Sequence, residues 1–135
     1  MIDEMNVRLA KYRLEQAREC LFAAKENMKI SLKASANRSY YSIFNVMRAA
    51  LALDAFDSRK HSGVISEFRR RHIKTNRLPI ILSDFIGKAF YYRNRSDYED
   101  FYLIDESSVR QQLENAKAFL EEVGEYVNKI LEANT

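Results

Sequence analysis

The sequence has 135 residues, 47% hydrophobic and 30% charged, with a formal net charge of +3. That suits one domain with one core over residues 1–135, and the mild basicity permits contact with nucleic acid without requiring it. With only 3 Gly, 1 Pro and 1 Cys, the chain lacks the turn chemistry of a sandwich or barrel and cannot form an internal disulfide.

Long periodic runs with few breakers predict an all-α fold: an antiparallel up-and-down four-helix bundle with one extra short helix. No apolar run reaches the ~20 residues of a membrane span. The start, Met1-Ile2-Asp3-Glu4, is acidic and has no apolar signal core. With the lone thiol, Cys20, this predicts a cytoplasmic protein without membrane contact.

The first predicted helix covers about residues 5–31. Leu14, Ala17, Leu21, Ala24 and Met28 share one face, while Arg8, Lys11, Arg18, Lys25 and Lys29 lie off it. Cys20 borders the stripe as a small buried thiol. The second helix, about residues 33–53, carries Ala36, Tyr40, Phe44, Met47 and Leu51 on one face. Tyr41, Ile43 and Val46 widen its apolar surface, so it is expected to be buried on more than one side. Ser31 or Ser35 is placed to cap the junction. Asn37, Arg38, Ser42 and Asn45 are polar exceptions in this helix. Arg38 is open to two readings, a contribution to a binding site or an ordinary ion pair.

A polar connection, residues 54–60, leads to a short helix over about residues 60–71. Val64, Ile65 and Phe68 would dock it on the bundle, and Gly63 at its start points to a close backbone approach. His61 is one of two histidines. It is either a proton-handling group near neutral pH or a helix-start side chain bonded to its surroundings. In the run Arg69–Arg77, five of nine residues are Lys or Arg. The run can contact phosphate, but cations at a helix C-terminus are favoured by the macrodipole without any ligand.

The third long helix is expected to start near Pro79, with Leu82, Phe85, Ala89 and Tyr92 facing the core. Phe90 and Tyr91 offer a second apolar face suited to an oligomer interface, and Gly87 leaves room for another helix. The last helix spans about residues 106–131 after Asp105 or Ser107 as N-cap. Its stripe is Val109, Leu113, Ala116, Leu120, Val123, Val127 and Ile130.

Between these helices lies Tyr91-Tyr92-Arg93-Asn94-Arg95-Ser96-Asp97-Tyr98-Glu99-Asp100-Phe101-Tyr102. Here the helical pattern breaks down and polar and aromatic groups crowd together, which makes this stretch the candidate site. The chain has no Glu-x-x-His pair, no Cys-x-x-Cys, no phosphate-binding glycine loop and no nucleophile elbow. No metal and no cofactor are therefore expected. Arg93 and Arg95 supply charge suited to a phosphodiester. Arg93 and Asp97 are four apart on one helical face, so an ion pair is the competing reading of both.

Three segments carry a family resemblance: Arg38 followed by Tyr40-Tyr41-Ser42-Ile43-Phe44-Asn45, then Lys60-His61-Ser62-Gly63-Val64-Ile65, then Arg93-Asn94-Arg95-Ser96-Asp97-Tyr98. In this order they resemble the HEPN domain family over nearly the whole chain, most closely its small stand-alone proteins. The resemblance implies a four- to five-helix bundle that forms a homodimer. It also implies a metal-independent ribonuclease of toxin type, paired with a minimal nucleotidyltransferase that serves as antitoxin and can adenylylate a tyrosine. Nucleotide or RNA would bind around Arg38, Lys60, His61, Asn94 and Arg95, with Arg93, Asp97 and Tyr98 as candidate catalytic residues and Tyr98 and Tyr102 as candidate modification sites.

The family's motif is an arginine, a polar residue, three to five further residues and a histidine, at the end of the third long helix. Arg93-Asn94 matches its start, but the first place open to the histidine holds Tyr98, and none follows through Asp100. A phenol, with a pKa near ~10, is a poor general base at neutral pH. Asp97, or His61 from elsewhere in the fold, would have to supply the proton chemistry. The alternative is a non-catalytic nucleotide-binding or protein-interaction module.

Overall fold

The computed structural model describes residues 1–135. Five α-helices form: α1 Glu4–Asn27, α2 Leu32–Leu53, α3 His61–Phe68, α4 Ile81–Tyr98 and α5 Glu106–Ala133, with a π-helical turn Arg69–Ile73 extending α3. Four long helices and one short one are the elements that the periodicity predicts.

α2 is the central element and packs against α1, α3, α4 and α5. Its many Ala and Ser residues let α1 approach closely. Ser35 donates to the Ala24 carbonyl at 2.7 Å, and Ser42 to the Ala17 carbonyl at 2.9 Å. These two buried hydroxyls are thus satisfied across the α1–α2 seam. Of the two candidate caps, Ser31 is the one used, its Oγ accepting from Ala34 N–H at 3.2 Å. α1 ends at Asn27, earlier than the predicted residue 31, and the Asn27 side chain donates to the Ala23 carbonyl there.

α3 begins without a side-chain cap. A Cβ built on Gly63 would sit 2.7 Å from Ser58 Oγ, so the close approach predicted at this glycine is made by the preceding loop. The π turn follows, closed by Lys74 N–H bonding Arg69 O at 2.9 Å. It carries His72 into the interior, 2% exposed, where the ring nitrogens meet Asp54 Oδ2 at 2.8 Å and Tyr126 OH at 2.7 Å. Gly87 is met by the Arg69 guanidinium at 3.6 Å and not by another helix.

The largest core cluster draws on all the α-helices and includes Tyr40, Met47, Phe68, Ile86 and Phe119. Two predicted faces are shifted. In α4 the buried line is Leu82, Ile86 and Ala89, with Phe85 only partly covered. In α5 it is Val109, Ala116, Phe119, Val123, Val127 and Leu131, and Leu120 and Ile130 lie at its margin. The cause is visible in α5: Gln112 and Asn115 are buried on the true face. Two polar residues there make the neighbouring stripe look cleaner in the sequence. A smaller cluster of Ala36, Ile104 and Val109, flanked by Tyr92 and Tyr102, supports the α4–α5 connection beneath the site.

Candidate functional site

Arg93 lies in the last two turns of α4 and faces α2, with its side chain 13% exposed. Its guanidinium carbon lies 5.4 Å from the ring centroids of Tyr40 and Tyr41 and 5.2 Å from that of Tyr98. It donates to Tyr41 OH at 2.9 Å, to Tyr98 OH at 3.3 Å and to Asn94 Oδ1 at 3.1 Å. Asp97 Oδ2 lies 3.2 Å from Arg93 Nε, the ion pair that the spacing of four residues allows.

A second polar layer comes from the start of α2. Asn37 donates to Asp97 Oδ2 at 2.8 Å and accepts twice from Arg38, from Nε at 2.9 Å and from a terminal nitrogen at 2.7 Å. Arg38 also lies over the Tyr41 ring at 5.1 Å. Arg38, Asn37, Asp97 and Arg93 therefore form one connected network. Arg38 has no carboxylate partner, so the network holds two guanidinium groups against one carboxylate.

His61, at the start of α3, joins the same aromatic cluster. Its Nδ1 lies 2.8 Å from Tyr40 OH, and its ring stacks on Phe44 at 4.3 Å between centroids. Burial, together with the positive charges of Arg93 and Arg48, holds the imidazole below the ordinary histidine range. Burial also pushes the Tyr40 hydroxyl well above the usual phenol range, so Tyr40 stays protonated. The structure thus brings a neutral histidine from α3 and Arg93 from α4 against the same tyrosine.

Other predicted residues are placed elsewhere. Arg95 is two residues from Arg93, so it points away from it. It bonds Glu99 Oε2 and Tyr91 OH, each at 2.6 Å, and lies 4.4 Å over the Tyr102 ring. Hydrogen bonds to Glu99 and Tyr91 raise its pKa further. Lys60 is the exposed residue before α3, its backbone N–H held by Ser58 Oγ and its amine in no ion pair. Tyr98 is 70% exposed, whereas Tyr102 is partly covered and burial raises its hydroxyl pKa. No three His, Cys, Asp or Glu side chains gather as a metal site.

Sequence reasoning missed the link made by Asn37 and the second cationic group around Arg48. Arg48 meets Asp57 at 3.1 Å, and Asp57 also pairs with Arg13, a nearly buried arginine of α1. The available signal was polarity on a largely buried helix: Asn37, Arg38 and Arg48 are polar positions of α2.

The sequence profile of the HEPN domain matches residues 10–127. A UPF0332 protein of Thermotoga maritima is 30% identical over 127 residues, covering 93% of this chain and 96% of its own. A protein of Methanocaldococcus jannaschii described as a candidate toxin is 33% identical over 91 residues, 67% of this chain and 62% of its own. The chain thus spans less than two thirds of that second relative.

Proposed function

Since the chain belongs to the HEPN domain family, we propose that residues 1–135 act as one RNA-binding HEPN domain of toxin type, in the cytoplasm, as a homodimer working with a minimal nucleotidyltransferase. The observation that carries this reading is Arg93, held over three tyrosine rings beside the unpaired cation Arg38. Cationic groups beside an exposed aromatic ring, here Tyr98, suit single-stranded RNA, because guanidinium groups hold phosphates and a phenol face stacks on a base. The resemblance of the M. jannaschii relative supports the toxin-type role. The exposed Tyr98, Phe101 and Leu103 support a second copy docking on this end of the bundle.

In the catalytic form of this reading, His61 takes the place of the histidine missing from α4. Neutral His61 removes the proton of a ribose 2′-hydroxyl, and the 2′-oxygen bonds to the adjacent phosphorus. Arg93 carries the charge that develops on the phosphoryl oxygens, and the bond to the 5′-oxygen breaks as that oxygen takes a proton from water. Tyr40 holds the imidazole: with the ring proton on Nδ1 and donated to Tyr40 Oη, Nε2 is the nitrogen left to act as the base. Incubating RNA with the purified protein in EDTA tests this. Cleavage by the parent, lost in both Arg93→Ala and His61→Ala, is expected.

The Arg93–Asp97 ion pair favours a second reading, because it occupies the guanidinium that a transition state would need. In that reading the chain binds RNA or nucleotide without turnover. Binding without cleavage by the parent selects it.

A further inference from the structure

The run Arg69–Arg77 falls into separate parts in the structure. Arg70 and Arg71 both pair with Glu67, at 2.8 Å and 3.3 Å, and His72 is in the core. Arg77 is in no ion pair, and Arg69 and Lys74 also remain without a carboxylate. Arg69 and Lys74 line a groove of about 370 Å³ between α3 and α4, with Ser62, Ser66, Gly87 and Phe90, and Arg77 lies outside it. The groove's lining contains no acidic residue. Arg69 donates to the Ser83 carbonyl at 2.9 Å, while its Nε is buried with no hydrogen-bond partner. Gly87 bares the α4 backbone where the Arg69 guanidinium lies.

The groove continues from the site already described. Ser62 follows His61 in the chain. Phe90 precedes Arg93 by one helical turn, and its ring lies 5.9 Å from that of Tyr40. From Gly87 to Arg93 is six residues of helix, or ~9 Å along α4 at ~1.5 Å per residue. Two cations over an apolar floor, flanked by two hydroxyls and an aromatic ring, suit a phosphodiester with its base against the ring.

We infer that the α3–α4 groove is a second phosphate subsite, in which Arg69 and Lys74 hold a backbone phosphate of the same RNA strand that Arg93 engages. This inference rests on the RNA-binding reading of the Arg93 site. It also assigns Phe90 a stacking role for the nucleotide between the two subsites.

The test is fluorescence anisotropy of a labelled single-stranded RNA of about twelve nucleotides, titrated with the parent, Lys74→Gln, Arg69→Gln/Lys74→Gln and Arg93→Ala at several salt concentrations. Lys74 is exposed and unpaired, so Lys74→Gln should leave the fold intact by circular dichroism. Lys74→Gln is expected to weaken binding about 3-fold and the double variant about 10-fold. The double variant should also reduce the slope of log affinity against log salt by roughly 1, as for lost contacts to single-stranded phosphates. If parent and Lys74→Gln bind with equal affinity and equal salt slope, the subsite is overturned while the Arg93 reading stands. If the parent binds no RNA, both readings are overturned together.

Discussion

Tyr40 is the side chain at which Arg93 and His61 meet, and its hydroxyl is hydrogen-bonded to the imidazole. Tyr40→Phe removes that partner and leaves Nδ1 facing an apolar edge. A cost of about 1–2 kcal/mol in urea unfolding is expected, together with a changed pH dependence of any cleavage. His61 itself has a folded-state pKa below the ordinary value of about 6.5. The unfolded chain therefore takes up this proton first as pH falls. Stability that is present above pH 6.5 is lost as pH drops through it toward the folded value. Urea midpoints at about pH 7.5 and 5.5 should fall less in His61→Gln than in the parent. Asp97 lies against Arg93 Nε, where on the RNA-binding reading it would compete with phosphate. Asp97→Asn should raise RNA affinity a few-fold, because a partly exposed ion pair is worth about 1 kcal/mol or less. Lower stability with unchanged RNA affinity would make the pair purely structural.

Most element boundaries were legible because periodicity, caps and breakers agree. The Ser31 and Asp105 caps and the break after α4 come from residue types with a local mechanism. Faces were harder to read. Phe119 was missed because Gln112 and Asn115 share its buried side, so the apolar count favoured the neighbouring stripe. Phe119→Ala should cost about 3–5 kcal/mol, against under about 2 kcal/mol for Leu113→Ala at the margin. The π turn has no sequence signature, and with it went the burial of His72. Gly63 was legible as a close approach, but its partner, Ser58, was not. Gly63→Ala should destabilise by about 1 kcal/mol, since Ser58 Oγ must move and give up its hydrogen bond to Lys60 N–H. Thermal melts of Gly63→Ala and Ser58→Gly/Gly63→Ala separate the steric and hydrogen-bond parts.

At the scale of the whole molecule, α2 brings three separated segments together. Arg38 and Tyr40 come from α2 itself, His61 from α3 and Arg93 from α4. The sequence could place Arg93 on a helix end, but only the packed bundle shows that Arg95 turns toward Tyr91 and Glu99. It could not show that His61 reaches Tyr40, because that contact crosses 21 residues of sequence. Docking of a second copy at Tyr98, Phe101 and Leu103 predicts a dimer in sedimentation equilibrium, shifted toward monomer in Phe101→Ser/Leu103→Ser. Arg93 is the group on which RNA engagement depends most in the proposed function. The direct measurement is the affinity of a single-stranded RNA of about twelve nucleotides for parent and Arg93→Ala in EDTA, with fold checked by circular dichroism. The parent is expected to bind and Arg93→Ala to bind about 10-fold or more weakly, a loss of about 1.4 kcal/mol or more. Equal binding by the two proteins, or no binding by the parent, would contradict this role of Arg93.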